Sequence, residues 1–183
     1  MEKKSLGKLE RVLLDEATLD TRVRQLGLEI SEHYKTRVSE SSPLVLVAIL
    51  KGSFIFAADL VRAIDIPMRI EFLGVRSYGD ATSSSGVVQV TQDLSQSVEG
   101  QHVLLVEDIV DTGLTSSFLL DQMASRKAAS VSLCSLLHKP ARTVVAVGIR
   151  FLGFTIDDLF VVGYGLDVAQ RFRNLPALHV FGE

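Results

Sequence analysis

The sequence predicts an α/β fold: an open, mostly parallel sheet with helices on both faces. Apolar runs of strand length recur along the chain and alternate with segments whose apolar residues follow a helical period. The polar clusters follow the buried runs directly, and in open α/β sheets ligands gather beyond the carboxyl ends of the strands. Lys51-Gly52-Ser53 follows one run, Glu107-Asp108 to Thr115 another, His138-Lys139 a third and Asp167 a fourth.

Asp15 to Val38 is predicted as an amphipathic helix, because Leu19, Val23, Leu26, Ile30 and Tyr34 share one face, with Gly27 weakening it slightly. Leu44 to Leu50 is a continuous apolar run, the pattern of a strand buried on both faces. Ser53 is placed to cap a helix running through Ile64. Strands are expected at Met68 to Val75, Val87 to Asp93 and His102 to Glu107, the last leading through Asp111-Thr112-Gly113 into a helix with Phe118, Leu119 and Met123. Val131 to Leu137 and Leu159 to Tyr164 complete the strands, and the polar stretch from Ser77 to Gly86, with Tyr78 its sole apolar anchor, reads as a mobile loop. No linker or repeat divides residues 1–183, which read as one domain.

Composition removes several classes of function. The 183 residues are 47% hydrophobic and 22% charged, which excludes disorder and fits one core of ordinary size. With 19 basic and 22 acidic residues the net charge is -3, so no overall positive field draws nucleic acid or an anionic membrane, and any anion must be captured locally. Lys51, Glu107 and Gly163 interrupt the longest apolar runs well short of the roughly 20 residues of a spanning helix. The first residues carry charge without an apolar stretch behind them, so no secretory signal is expected. Cys134 is the sole cysteine, which excludes an internal disulfide and a multi-cysteine zinc site and points to a reducing, cytoplasmic location.

The chemistry concentrates between Val103 and Ser117. A buried strand ends in the adjacent acids Glu107 and Asp108, and a turn of Asp111, Thr112, Gly113 and Thr115 then opens a helix. Such a turn suits phosphate: glycine lets backbone N–H groups approach an anion, and the helix N-terminus and hydroxyls add to them. The chain has neither G-x-x-x-x-G-K-[ST] nor G-x-G-x-x-G, which disfavours a nucleoside triphosphatase or a dinucleotide site. A plainer alternative has Asp111 and Thr112 cap the helix and leaves the two acids solvated at a strand end. Paired carboxylates beside a phosphate turn suggest instead a substrate with a phosphate and a diol, together with Mg²⁺, because carboxylates repel phosphate unless a cation intervenes.

The run Val106-Glu107-Asp108-Ile109-Val110-Asp111-Thr112-Gly113-Leu114-Thr115 resembles the phosphoribosyl-pyrophosphate signature of type I phosphoribosyltransferases, in the form of their hypoxanthine-guanine branch. Further matches follow in that family's order over nearly the whole chain. Leu50 to Ser53 is similar to its pyrophosphate loop, Ser77-Tyr78 to the start of its mobile catalytic loop and Ser135 to Lys139 to its purine-binding lysine strand. Phe160 to Asp167 with Arg171 to Pro176 resembles its C-terminal purine and metal segment.

The resemblance implies a small hood built from the terminal segments, and transfer of phosphoribose from phosphoribosyl pyrophosphate to hypoxanthine or guanine. It implies that Asp111, Thr112, Gly113, Leu114 and Thr115 hold the 5′-phosphate, while Glu107 and Asp108 bind the ribose hydroxyls beside Mg²⁺. Asp111 also faces purine N7 as general base or proton relay, Lys139 donates to the 6-oxygen, and Phe160 stacks on the base with the Val161 backbone at its edge. Lys51, Gly52 and Arg173 hold pyrophosphate, with Ser77 and Tyr78 adding contacts from the loop, and Asp167 binds a second Mg²⁺. It also implies a homodimer or homotetramer. Leu114, Gln92 and Val168 depart from the family's usual residues.

Physical chemistry supports that division. Displacing pyrophosphate from C1′ passes through an oxocarbenium-like sugar, which negative charge nearby stabilises. Lysine only donates, so Lys139 suits a 6-oxo group and disfavours a 6-amino group. Phe160 also reads as a core residue among its apolar neighbours, His138 as structural and buried Cys134 as inert. An RNA-binding regulator on the same fold would need a basic face that this chain lacks. A phospho-receiver domain would leave Lys51, Lys139 and Arg173 without a role.

Overall fold

The computed structural model describes residues 7–80 and 83–182, and the side chains of residues 77–80 and 83–87 lie outside that description. The chain runs β1 (Lys8–Leu14), α1 (Glu16–Tyr34), β2 (Leu44–Leu50), α2 (Phe54–Ala63), β3 (Met68–Asp80), β4 (Ser83–Gln92), β5 (His102–Val110) and α3 (Leu114–Ser125). It continues through β6 (Ser130–His138), a 3-10 turn (Pro140–Arg142), β7 (Ile149–Thr155), β8 (Val161–Val162) and β9 (Leu178–Gly182).

Six strands form the main sheet in the order β4-β3-β2-β5-β6-β7, all parallel except β4, which runs antiparallel to β3. Alternation along the central strands divides the core. Leu46 and Ala48 of β2 and Leu104 and Val106 of β5 pack with α1 and α2, while Val45, Val47, Val103 and Leu105 pack with Leu119 and Met123 of α3. Covering both faces is what allows a parallel strand to be apolar throughout, and β2 is buried from Leu44 to Ile49. A second antiparallel sheet, β1-β9-β8, joins the two ends of the chain and forms the hood. No described helix is long and apolar enough to cross a membrane.

Several boundaries differ from the sequence expectation. Helix α1 begins as expected, with Asp15 accepting from the Thr18 N–H at 2.8 Å, but it ends at Tyr34 and not Val38. There the Tyr34 carbonyl takes the N–H groups of Arg37 and Val38, turning the chain towards β2. Ser53 precedes α2 without capping it, because its hydroxyl donates to the Ile49 carbonyl at 2.6 Å. The expected loop from Ser77 to Gly86 is a hairpin arm instead: β3 and β4 continue into it, with Tyr78 paired to Val87 and Asp80 to Ser83, while residues 81–82 lie outside the described residues. Strand β5 runs on past Glu107 to Val110, because the pairing with β6 continues through Val110 and His138. Of the strand expected at Leu159 to Tyr164 only Val161–Val162 forms, since Gly163 and Leu166 exchange backbone hydrogen bonds in a tight turn.

Phe56 of α2 is fully buried in the core shared by α1, α2 and the sheet. Phe56→Ala is expected to lower unfolding free energy by about 3 to 5 kcal/mol, measured by denaturant titration, with near-native circular dichroism retained.

Candidate active site

Strands β2 and β5 are parallel neighbours, and the segments leaving their carboxyl ends meet. Glu107 is buried within β5, and the Asp108 carboxylate lies so close to Gly52 that a Cβ there would sit 1.8 Å from Asp108 Oδ2. Glycine at position 52 is therefore a condition of bringing the loop after β2 against the acids of β5. Burial pushes the Glu107 carboxyl well above the ordinary carboxylate range, and the neighbouring Asp108 charge raises it further. Burial likewise raises Asp108, to about 6, although backbone N–H groups and the Arg173 guanidinium pull it back. Among the described residues neither acid makes an ion pair.

Beyond β5 the chain turns through Asp111 to Gly113, which has φ +81° and begins α3 without any side-chain cap. A Cβ on Gly113 would lie 2.1 Å from the Val145 carbonyl oxygen, and the Thr112 carbonyl accepts the N–H groups of Val144 and Val145, each at 3.0 Å. Asp111 is not the cap that the plainer sequence reading supposed. Its Oδ1 accepts from Arg142 Nε at 3.2 Å, and the Thr112 hydroxyl takes only the Leu114 N–H, at 3.4 Å. Apart from that contact at Leu114, no side chain caps the first amides of α3, and the positive end of the helix dipole lies behind them.

A cleft of about 310 Å³ opens beside these groups, lined by Gly52, Asp108, Ile109, Asp111, Lys139, Phe160, Val161, Leu166, Asp167 and Arg173. Lys139 follows β6, is 8% exposed and has its Nζ 3.7 Å from Asp158 Oδ1. Phe160 is 53% exposed, so it is not a core residue; its ring packs against Phe181 at 6.0 Å and leaves its remaining surface to the cleft. Val161 is held by pairing of β8 with β9. Arg173 reaches back through Nη1 to the Gly165 carbonyl and through Nη2 to Asp167 Oδ1, both at 2.6 Å, leaving its buried Nε without a partner. Asp167 Oδ2 accepts from the Gln170 N–H at 2.7 Å.

Eight residues singled out from the sequence therefore meet in one cleft: Gly52, Asp108, Asp111, Lys139, Phe160, Val161, Asp167 and Arg173. Lys51 is exposed beside Gly52, Glu107 sits one residue before Asp108, and Thr112, Gly113, Leu114 and Thr115 continue the turn after Asp111. The side chains of Ser77 and Tyr78 lie outside the described residues. His138 has only a 3.5 Å contact with the Thr143 hydroxyl, and burial pushes the Cys134 thiol up, keeping it protonated and inert. Sequence reasoning missed Arg142 and Asp158. The signal available was their proximity to Lys139 and Phe160 in the chain. A wider cavity of about 620 Å³ between α1, α2 and Tyr164 has two of its three acids, Asp20 and Asp59, paired with arginines or with the Tyr164 hydroxyl, and brings together fewer of the residues singled out from the sequence.

This arrangement, acids at the end of a central parallel strand followed by a glycine turn into a helix under a hood, is that of a phosphoribosyl-transferring fold. A sequence profile of the phosphoribosyl transferase domain matches residues 20–169, and the chain belongs to that family. It is 45% identical to the hypoxanthine-guanine phosphoribosyltransferase of Mycobacterium avium over 92% of this chain and 84% of that protein. It is also 45% identical to the bifunctional protein TilS/HprT of Listeria innocua, matching 94% of this chain but spanning only 26% of that longer protein. The crystal structure of a hypoxanthine phosphoribosyltransferase from Staphylococcus aureus superposes with a TM-score of 0.88 at 39% identity, covering 95% of this chain and 92% of the other.

The raised Asp108 carboxyl has a consequence for stability. Its folded-state value of about 6 exceeds the ordinary 3.8, so folding favours the protonated form. In metal-free buffer, stability is expected to fall as pH rises from about 4 through about 6. Asp108→Asn, neutral throughout, should raise the thermal midpoint at pH 7.5 and lose that advantage below pH 4, as read by calorimetry.

Proposed function

We propose that this chain transfers the 5-phosphoribosyl group from phosphoribosyl pyrophosphate to N9 of a 6-oxopurine, hypoxanthine or guanine, giving IMP or GMP and pyrophosphate. The observation that carries this reading is the convergence of Asp108, Asp111 and Lys139 on one cleft, from the carboxyl ends of neighbouring strands β5 and β6. The names of two of the relatives, a hypoxanthine-guanine phosphoribosyltransferase and a hypoxanthine phosphoribosyltransferase, support it.

In this reading the amides and hydroxyls from Thr112 to Thr115 hold the 5′-phosphate, and Glu107 and Asp108 receive the ribose hydroxyls. Asp111 Oδ2, free of the Arg142 contact on Oδ1, takes the N7 side of the base and moves its proton. Lys139 donates to the 6-oxygen, Phe160 lies against the purine ring and the Val161 backbone reads its edge. Lys51 and the Gly52 amide bind the departing pyrophosphate, joined by Arg173 and by Ser77 and Tyr78 of the hairpin arm. Arg173 Nε, which has no partner among the described residues, is the atom left for that contact while Nη2 stays on Asp167.

The donor set fits Mg²⁺. Glu107 and Asp108 are adjacent oxygen donors whose burial is uncompensated by any ion pair among the described residues. That suits an ion bound through one or two carboxylates plus oxygens of the substrate. Glu107 and Asp108 would hold it, Asp167 a second, and it would neutralise charge on the leaving pyrophosphate. A cytoplasmic location, argued from the single cysteine, and a homodimer or homotetramer, implied by family resemblance, belong to the same proposal.

Release of pyrophosphate from phosphoribosyl pyrophosphate is expected with hypoxanthine or guanine and Mg²⁺, to vanish with EDTA, and to be negligible with adenine. Activity that favours adenine, or full turnover without divalent metal, would sink the reading. Asp111→Asn should lower kcat by roughly 10²-fold, with smaller change in the KM for phosphoribosyl pyrophosphate. Turnover of that variant at the parent rate would remove Asp111 from the proton transfer.

A further inference from the structure

Asp111 and Lys139 line the cleft, and Arg142 and Asp158 beside it link them in a chain of alternating charge. Arg142 Nε donates to Asp111 Oδ1 at 3.2 Å, Arg142 Nη1 lies 3.8 Å from Asp158 Oδ2, and Lys139 Nζ lies 3.7 Å from Asp158 Oδ1. Backbone hydrogen bonds tie together the segments that carry them. The Lys139 N–H donates to the Val110 carbonyl at 3.0 Å, the Arg142 N–H to the Lys139 carbonyl at 3.1 Å, and the Ile156 N–H to the His138 carbonyl at 3.0 Å. The ring therefore closes from the residue before Asp111, through Lys139 and the turn of Pro140–Arg142, and back to Asp111.

We propose that Arg142 and Asp158 are positioning residues for base recognition: Arg142 orients the carboxylate of Asp111, and Asp158 fixes the ammonium of Lys139 against the same guanidinium. The proposal rests on the function proposed above and extends it to two residues outside the motifs. A purine bound between Asp111 and Lys139 is read by one acceptor and one donor, so the separation and direction of the two groups decide how well the base fits. An aspartate beside a turn and a lysine on a flexible stem do not hold that geometry alone. Arg142 occupies one oxygen of Asp111 and leaves the other for the base, and its planar fork spans to Asp158. Asp158 in turn gives the nearly buried Lys139 ammonium a counter-charge at the rim.

The two contacts of Arg142 contribute little as surface ion pairs. The side chains of Arg142, Asp111 and Asp158 are 45%, 39% and 50% exposed, and pairs so exposed add little to folding stability. Their removal should therefore register in the kinetics of the base and leave the thermal midpoint in place.

The experiment compares the full-length parent chain with R142Q, R142K, D158N and the R142Q/D158N double variant, with hypoxanthine, phosphoribosyl pyrophosphate and Mg²⁺. R142Q is expected to raise the KM for hypoxanthine roughly tenfold, the order of one charge-assisted hydrogen bond, while the KM for phosphoribosyl pyrophosphate stays within about twofold. R142K should recover only part of the loss, because an ammonium cannot bridge two carboxylates as the fork does. D158N should raise the KM for hypoxanthine by about fivefold, and the double variant should be little worse than R142Q, since both act through one ring. The inference is overturned if R142Q raises the KM for phosphoribosyl pyrophosphate instead, which would make Arg142 a phosphate ligand. Multiplying defects, parent-like variants, or a thermal midpoint that falls in step with activity would also overturn it. A parent chain that is folded but inert towards hypoxanthine overturns the proposed function, and this inference with it; an active parent with unaffected variants overturns the inference alone.

Discussion

The parallel register between β2 and β5 is the constraint on which the site depends. Val45 pairs with Val103 and Ala48 with Val106, so both strands deliver their chains to the same end of the sheet within two or three residues of each other. Everything that follows uses that coincidence. Gly52 meets the Asp108 carboxylate, the turn after β5 opens α3, and β6, in register with β5 from His102 to Val110, adds Lys139 to the same edge. A shift of one residue between β2 and β5 would exchange their buried faces and carry Glu107 and Asp108 away from Gly52. The apolar packing of α1 and α2 on one face and α3 on the other thus fixes the polar geometry at the strand ends.

That geometry is electrostatically unbalanced in a directed way. The acids Glu107 and Asp108 are buried with raised proton affinity, whereas the nearby cations are engaged elsewhere: Arg173 with Asp167, and Arg142 with Asp111 and Asp158. A protein interior normally places counter-charges where carboxylates are buried. Here the ion pairs lie around the cleft, and among the described residues none reaches the two buried acids. The net charge of -3 says nothing of this arrangement, which lies in the order of the side chains around one cleft.

The legible parts of the fold were those written in local pattern. The run from Leu44 to Leu50 became β2 at those bounds because a strand covered on both faces needs no alternation. The face of Leu19, Val23, Leu26, Ile30 and Tyr34 became the buried side of α1. The hood strands were less visible: Lys8, Glu10 and Arg11 make β1 look like a solvated segment, and its pairing with β9 is set by residues from the far end of the chain. Strand β7 was hidden by Gly153, where a Cβ would lie 2.3 Å from the Leu136 carbonyl oxygen, so the glycine that suggests a break permits close packing against β6. The motif residues Gly52, Asp108, Asp111 and Lys139 could be located from their places after buried runs. Arg142 and Asp158 were signalled only by standing near Lys139 and Phe160 in the chain, because their link exists only once β6 and the chain after β7 lie side by side.

The hood also orders events in time. Strand β1 finds its partner only in β9, from Lys8 against Gly182 to Leu14 against Leu178, and β8 pairs with β9 as well. The parallel strands pair with neighbours closer in the chain, so they are able to assemble before β9 is available. The first strand waits almost the full length of the chain for its mate. Phe160 and Val161, carried at the edge of β8, gain their final support from Phe181 and Val180 only then. That edge of the cleft is consequently complete only once β9 is in place, and without β9 the main sheet would keep all its own strand pairings while Phe160 and Val161 lost their support.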